Sequence, residues 1–179
     1  MLDPANFVSD PALGRACGTC TLCCKVYDVP AVEKLAGQWC RHARTGKGCG
    51  IHETRPQHCR SFHCLWMTQA WLGPEWKPEQ AKMVLSVDPV TQFLFVQVDP
   101  GQPAAWRREP YYRQLKQWAA GAIARGRQVV VFVNKSATVI LPERDVALGI
   151  LGPADRIVAR ERRTIRGLEI EIEKVTAAA

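Results

Sequence analysis

All eight cysteines of this 179-residue chain fall between Cys17 and Cys64, and none follows. The run opens Cys17-x-x-Cys20-x-x-Cys23-Cys24 and continues with Cys40, Cys49, Cys59 and Cys64. Cysteines used only as small core residues would be scattered along a fold. Thiolates that serve a metal or an iron–sulfur cluster come in close pairs, because one centre collects about four ligands within a few Å. The same stretch is rich in Gly, Thr, Arg and His and poor in periodic apolar positions, so it has little core of its own. The expectation is a metal-bound lobe with little regular structure, in which the metal supplies much of the folding energy.

The rest of the chain sets the context. Its N-terminus lacks the basic start and apolar run of an export signal, and no segment approaches the length of a membrane span. A cytoplasmic location is therefore expected, with no membrane partner. In such a compartment thiols stay reduced, which favours metal ligation over a disulfide framework. The formal charge of +7 counts every cysteine as neutral. Eight thiolates around two zinc ions would cut it to about +3, and four around one oxidised 4Fe–4S cluster to about +5. The basic residues are also dispersed, and the densest run, Arg160-Glu-Arg-Arg163, is interrupted by an acid. Nucleic acid is accordingly set aside as a partner.

Three stretches follow from the pattern: a leader over 1–15, the cysteine-rich metal-binding lobe over 16–66, and an α+β part over 67–179. In the last, Lys82–Val87 and Gln92–Val98 read as a hairpin across Asp88-Pro-Val-Thr91. Pro110 suits the first turn of a helix whose Tyr111, Leu115, Trp118, Ala119, Ala122 and Ile123 share one face, with Gly126 as its stop. Gln128–Val133 with Thr138–Leu141, and Asp155–Arg163 with Leu168–Val175, read as two further hairpins, and Thr176 to Ala179 as a frayed tail. Single turns between strands and one main helix predict an α+β fold, with the lobe packed on an antiparallel sheet.

The motifs sharpen the reading of the lobe. Cys17-x-x-Cys20-x-x-Cys23-Cys24, followed by Cys49-Gly-Ile-His-Glu-Thr-Arg55-Pro56-Gln-His-Cys59-Arg60-Ser-Phe62-His-Cys64, is similar to the YkgJ-type cysteine-cluster proteins. That family is described as zinc- or iron-chelating and is loosely labelled as iron–sulfur oxidoreductases. The resemblance covers residues 17–64 and implies a metal-binding module without an established reaction.

From the residues themselves, Cys17, Cys20, Cys23, Cys24, Cys40, Cys49, Cys59 and Cys64 are the candidate ligands. Adjacent side chains diverge on an extended or turn backbone, so Cys24 is expected either to serve a second centre or to stand behind the first as a thiol that does not bind the metal. Arg55, Arg60, His52 and His63 are placed just behind the ligands, as charge partners and hydrogen-bond donors. Two readings of the cofactor stay open, zinc or iron chelated by the thiolates, or an iron–sulfur cluster such as 4Fe–4S. The Cys-Pro ending of a bacterial ferredoxin motif is missing.

The functional expectation is an accessory or structural metal-binding protein, with electron transfer or redox chemistry on a cluster as the alternative. Its partners would be the metal ion and a protein that exchanges metal or electrons with it. Catalysis is the minority reading, since neither a His-Glu-x-x-His nor a deaminase-type zinc motif is present. Were the chain an enzyme, an iron–sulfur oxidoreductase would be expected.

Overall fold

Strand alternation and one amphipathic helix account for most of the architecture, seen here in a computed structural model that describes residues 14–165 and 167–176. In chain order the elements are α1 (Cys23–Val26), β1 (Ala43–Arg44), β2 (Gly48–Cys49), α2 (Gln57–Ser61), α3 (Leu65–Thr68), α4 (Pro78–Ala81), β3 (Met83–Val87), β4 (Leu94–Val98), α5 (Tyr111–Ile123), β5 (Val129–Val133), β6 (Ser136–Ile140), β7 (Asp145–Ile150), β8 (Asp155–Thr164) and β9 (Gly167–Thr176). Strands β3 to β7 form one five-stranded sheet in sequence order. The pairs β1–β2 and β8–β9 stand as separate ribbons.

Helix α5 begins after Pro110 and ends where Gly126 takes the left-handed conformation at φ +66°. There the Arg127 N–H reaches back to the Ala122 carbonyl, satisfying an acceptor that the helix end would otherwise leave open. Its buried Leu115, Trp118, Ala119 and Ala122 pack on Met83, Leu85, Leu94, Val96, Val98, Val129 and Val131. Trp76 joins this layer, edge-on to Tyr111, and its indole N–H donates to Gln114 Oε1 at 2.6 Å. The opposite sheet face carries Val130, Ala137, Val139 and Phe95, and is covered by Ile157, Ile170 and Ile172 of the β8–β9 ribbon. The sheet is thus sandwiched between a helix and a hairpin.

Strand β3 has a second neighbour. Met83 and Leu85 face the helix layer, whereas Val84 turns to the other side and packs with Leu22, Val26 and Cys64. The cysteine segment is also tied down by Lys25 Nζ on Asp99 Oδ1 at 2.6 Å, and by the Tyr27 hydroxyl and Ser86 Oγ at 3.1 Å. At Gly37, φ is +82° and a Cβ would collide with Asn134 in the β5–β6 turn, so only glycine lets the two loops approach.

Several expectations require correction. The fold is mixed α+β with several sheets and helices, but it contains no metal-binding lobe among the described residues. The cysteine segment is ordered by apolar burial, short helices and hydrogen bonds. The main sheet is not wholly antiparallel, since β4 and β5 pair in parallel with α5 as the connection between them. Their Leu-Phe-Val-Gln-Val and Val-Val-Val-Phe-Val runs lie in the middle of the sheet with both faces covered, the setting in which parallel pairing occurs. Strand β7 was not anticipated. It carries a register shift opposite Ala137 and Thr138, and Gly149 at φ +70° breaks its alternation. Most of the expected leader and residues 177–179 of the expected frayed tail lie outside the described residues. Thr176 is paired in β9, and its hydroxyl donates to Asp155 at 2.6 Å.

Leu115 is fully buried at the centre of the helix–sheet layer. Leu115→Ala is expected to lower stability by about 3 kcal/mol through lost transfer energy and an unfilled cavity. Val90→Ala, in the exposed β3–β4 turn, should stay within about 0.5 kcal/mol. Urea midpoints of the two variants provide the comparison.

Candidate functional site

All eight cysteines line one cavity of about 100 Å³. Cys17 and Cys20 lie on the turn that leads into α1, with the Cys20 N–H donating to the Cys17 carbonyl at 2.8 Å. Cys23 and Cys24 are the first residues of α1. Cys40 is brought alongside by its N–H, which donates to the Cys24 carbonyl at 2.9 Å. Cys49 ends β2, Cys59 lies in α2, and Cys64 immediately precedes α3. Apolar groups fill the intervals, among them Tyr27, Ile51, Phe62, Trp66, Met67 and Val84. The eight thiols are free, with no disulfide among them.

Lining one cavity is a weaker condition than converging on one point. Chelation by four thiolates needs every sulfur about 2.3 Å from a common centre. Among the described residues, no group of three or more His, Cys, Asp or Glu side chains is placed to hold a metal ion. The electrostatics agree with a cavity of thiols. Burial pushes the thiols of Cys17, Cys20 and Cys59 up, and that of Cys64 up to about 11, so these groups hold their protons. The chelating zinc or iron site, the 4Fe–4S cluster and the iron–sulfur oxidoreductase reading are therefore corrected. So are the metal ion and the metal- or electron-exchanging protein expected as partners.

The adjacent pair behaves differently from its neighbours. Cys23 and Cys24 share the helical turn of α1, where hydrogen bonding from the Cys23 thiol acts on the Cys24 sulfur. That bond favours the Cys24 thiolate and, against the opposing effect of burial, lowers its pKa to about 7 with help from Lys34 and Arg55. Cys23 is pushed the other way, by the same hydrogen bond and by burial. One thiol of the pair ionises readily and the other keeps its proton. A depressed pKa beside cationic groups marks a nucleophilic cysteine.

The residues expected just behind the cysteines divide into two groups. Arg55 lines the cavity, where its charge favours the Cys17 thiolate against the larger effect of burial. Its Nε–H is buried and has no hydrogen-bond partner. His52 also lines the cavity, with its ring beside Glu53 at 3.4 Å. Arg60 and His63 do not line it. Arg60 is exposed and braces the loop that carries Arg55, donating from Nε to the Arg55 carbonyl at 2.9 Å and from a terminal nitrogen to the Glu53 carbonyl at 3.0 Å. His63 is exposed, with its ring nitrogen 3.2 Å from the Ser61 carbonyl. His42 and His58 take places in the lining that the sequence did not single out.

Lys34 was missed altogether. It is buried, and its ammonium donates to the carbonyls of Lys25 (2.8 Å) and Tyr27, which closes the loop beneath α1. No motif marks it; a Lys between Glu33 and Leu35 reads as surface. It is brought inward by the left-handed Glu33, at φ 52°, and by the Val29–Lys34 bridge.

No family model matches the chain, and neither the curated proteins nor the solved structures contain a match. The resemblance to the YkgJ-type chelating proteins is accordingly not upheld, since the motif's cysteines are present without a chelating arrangement.

Alkylation of Cys24 by iodoacetamide should rise as pH passes through about 7 and then level off, because only the thiolate reacts. The groups that act on Cys24 are the Cys23 thiol and the cations Lys34 and Arg55, with Cys17 and Cys59 near enough to feel its charge; His42, His52 and His58 line the same cavity. Cys23→Ala removes the donated hydrogen bond and should move the midpoint upward. Peptide mass spectrometry across a pH series gives both profiles.

Proposed function

We propose that the protein is a thiol-reactive binding protein, which captures a small disulfide at Cys24 inside the cysteine-lined cavity. The observation that carries this reading is the gathering of eight free thiols around one small apolar cavity, with Cys24 under the influence of both Lys34 and Arg55. Residues 16–66 supply the reactive wall in this reading and residues 67–179 its support. Cys24 acts as the nucleophile and Cys23 as its hydrogen-bond donor. Cys17, Cys20, Cys40, Cys49, Cys59 and Cys64 form the polarisable surround. Among the described residues no helix is long and apolar enough to cross a membrane. The proposed setting is the cytoplasm, where thiols are kept reduced.

The chemistry is thiol–disulfide exchange. The Cys24 thiolate attacks one sulfur of the ligand, a new sulfur–sulfur bond forms, and the old one breaks. The second half of the ligand leaves as a thiolate and takes a proton from solvent. Burial keeps the thiols of Cys17, Cys20, Cys59 and Cys64 protonated, which favours attack from Cys24 over these four.

Brief exposure to bis(hydroxyethyl) disulfide near neutral pH, followed by intact-mass and peptide analysis, tests this. One mixed disulfide is expected, at Cys24, and Cys24→Ser should lower the yield at least about tenfold. Labelling spread evenly over the eight cysteines, or concentrated at Cys40 or Cys49, would overturn the proposal.

A further inference from the structure

Two residues of the cavity wall carry buried hydrogen-bond donors with no partner, Arg55 through Nε–H and Trp66 through Nε1–H. A buried N–H without an acceptor is costly, and native structures seldom leave one so. Here both belong to the lining of one cavity, whose remaining groups are mostly sulfur, ring and aliphatic carbon. Both residues are held by other contacts. Arg55 lies near Cys17, and its loop is braced by Arg60. Trp66 packs on the cluster of Leu22, Val26, Cys64 and Val84, with the Arg15 guanidinium 4.9 Å from its ring centre. Relaxation of either side chain toward solvent would break those contacts, so the missing acceptor is best supplied from within the cavity.

Size and chemistry narrow what that acceptor belongs to. An apolar cavity of about 150 Å³ holds one benzene ring, so the space here, about 100 Å³, admits a short chain and no large headgroup. A guanidinium N–H and an indole N–H together suit a carboxylate, whose two oxygens accept from separate donors. Among the described residues no Asp or Glu side chain lines the cavity to take that role. We infer that the ligand captured at Cys24 is a short aliphatic disulfide bearing a carboxylate, which Arg55 and Trp66 bind while its sulfur faces Cys24. This inference rests on the thiol-exchange reading and adds the class of ligand.

The test compares dithiodipropionate with its neutral diamide, two disulfides of nearly equal size. Second-order rates of mixed-disulfide formation at Cys24 are measured in the full chain, in Arg55→Gln and in Arg55→Lys. Any effect of Arg55 on the ionisation of Cys24 acts on both reagents alike, so the acid-to-amide rate ratio isolates recognition. The ratio is expected to fall about tenfold or more in Arg55→Gln, in line with loss of a charged hydrogen bond. Arg55→Lys, which keeps the charge but not the Nε–H, should recover only a small part of it.

An unchanged ratio in Arg55→Gln, including an equal slowing of both reagents, overturns the inference and leaves the thiol-exchange reading standing. A parental ratio in Arg55→Lys also overturns it, because general positive charge would then suffice. If neither reagent labels Cys24 in the parent chain, the underlying reading fails as well.

Discussion

The two-residue alternation of β3 holds the molecule together. Met83 and Leu85 belong to the layer beneath α5, and Val84, between them, belongs to the cluster that seats the cysteine segment. A segment that brings only Leu22, Val26 and Cys64 to this cluster has too little core to stay folded alone. Because the cluster is shared with an edge strand of a five-stranded sheet, the cavity takes its rigidity from the sheet. The Lys25–Asp99 ion pair and the close passage of Gly37 over Asn134 fix the same segment at two further points.

Within the cavity, burial and local donors work against each other. Desolvation keeps a thiol protonated, and at Cys17, Cys20, Cys59 and Cys64 it prevails. At Cys24 it is outweighed by the Cys23 hydrogen bond, with Lys34 and Arg55 adding to it. Lys34 contributes through its fixed position. Its ammonium satisfies two backbone carbonyls, so the same group that closes the loop also places a positive charge near the reactive sulfur. Structural and chemical roles coincide there, and a substitution at Lys34 would disturb both.

What could be read from the sequence follows from which signals are local. Helix α5 and the three hairpins were legible, because the spacing of Leu115, Trp118, Ala119 and Ala122 and the alternation of Ile170 and Ile172 are set by one element each. The parallel β4–β5 pair was not, since it depends on a crossover whose partners are far apart in the chain. The continuous run Val129 to Val133 was the available clue that both faces of that strand are covered. At the site, the clustering of cysteines correctly announced proximity. Convergence on a point is a question of fractions of an ångström, which the spacing of cysteines along the chain does not set. Arg55 stood out through its motif, whereas Lys34 owes its place to tertiary folding alone.

The β8–β9 ribbon has a bearing on how the chain finds its register. Its inner face presents Ile157, Ile170 and Ile172 to the sheet, while on its outer face Arg160 reaches Glu173 at 3.4 Å and Arg162 reaches Glu171 at 3.9 Å. A slip of one residue in either strand would exchange its two faces, driving charged groups into the apolar layer and isoleucines into water. A slip of two residues keeps the faces but moves each arginine to a different glutamate along an evenly spaced row, so the outer charges discriminate poorly between those registers. Correct alignment over the larger step is left to the ends of the ribbon, where the Thr176 hydroxyl meets Asp155 and Asp155 in turn accepts from the Gly152 N–H. That carboxylate marks the open end of two ten-residue strands, and the Arg144 bond to the Ile170 carbonyl and the Lys174 bond to the Ile150 carbonyl add fixed points along β9.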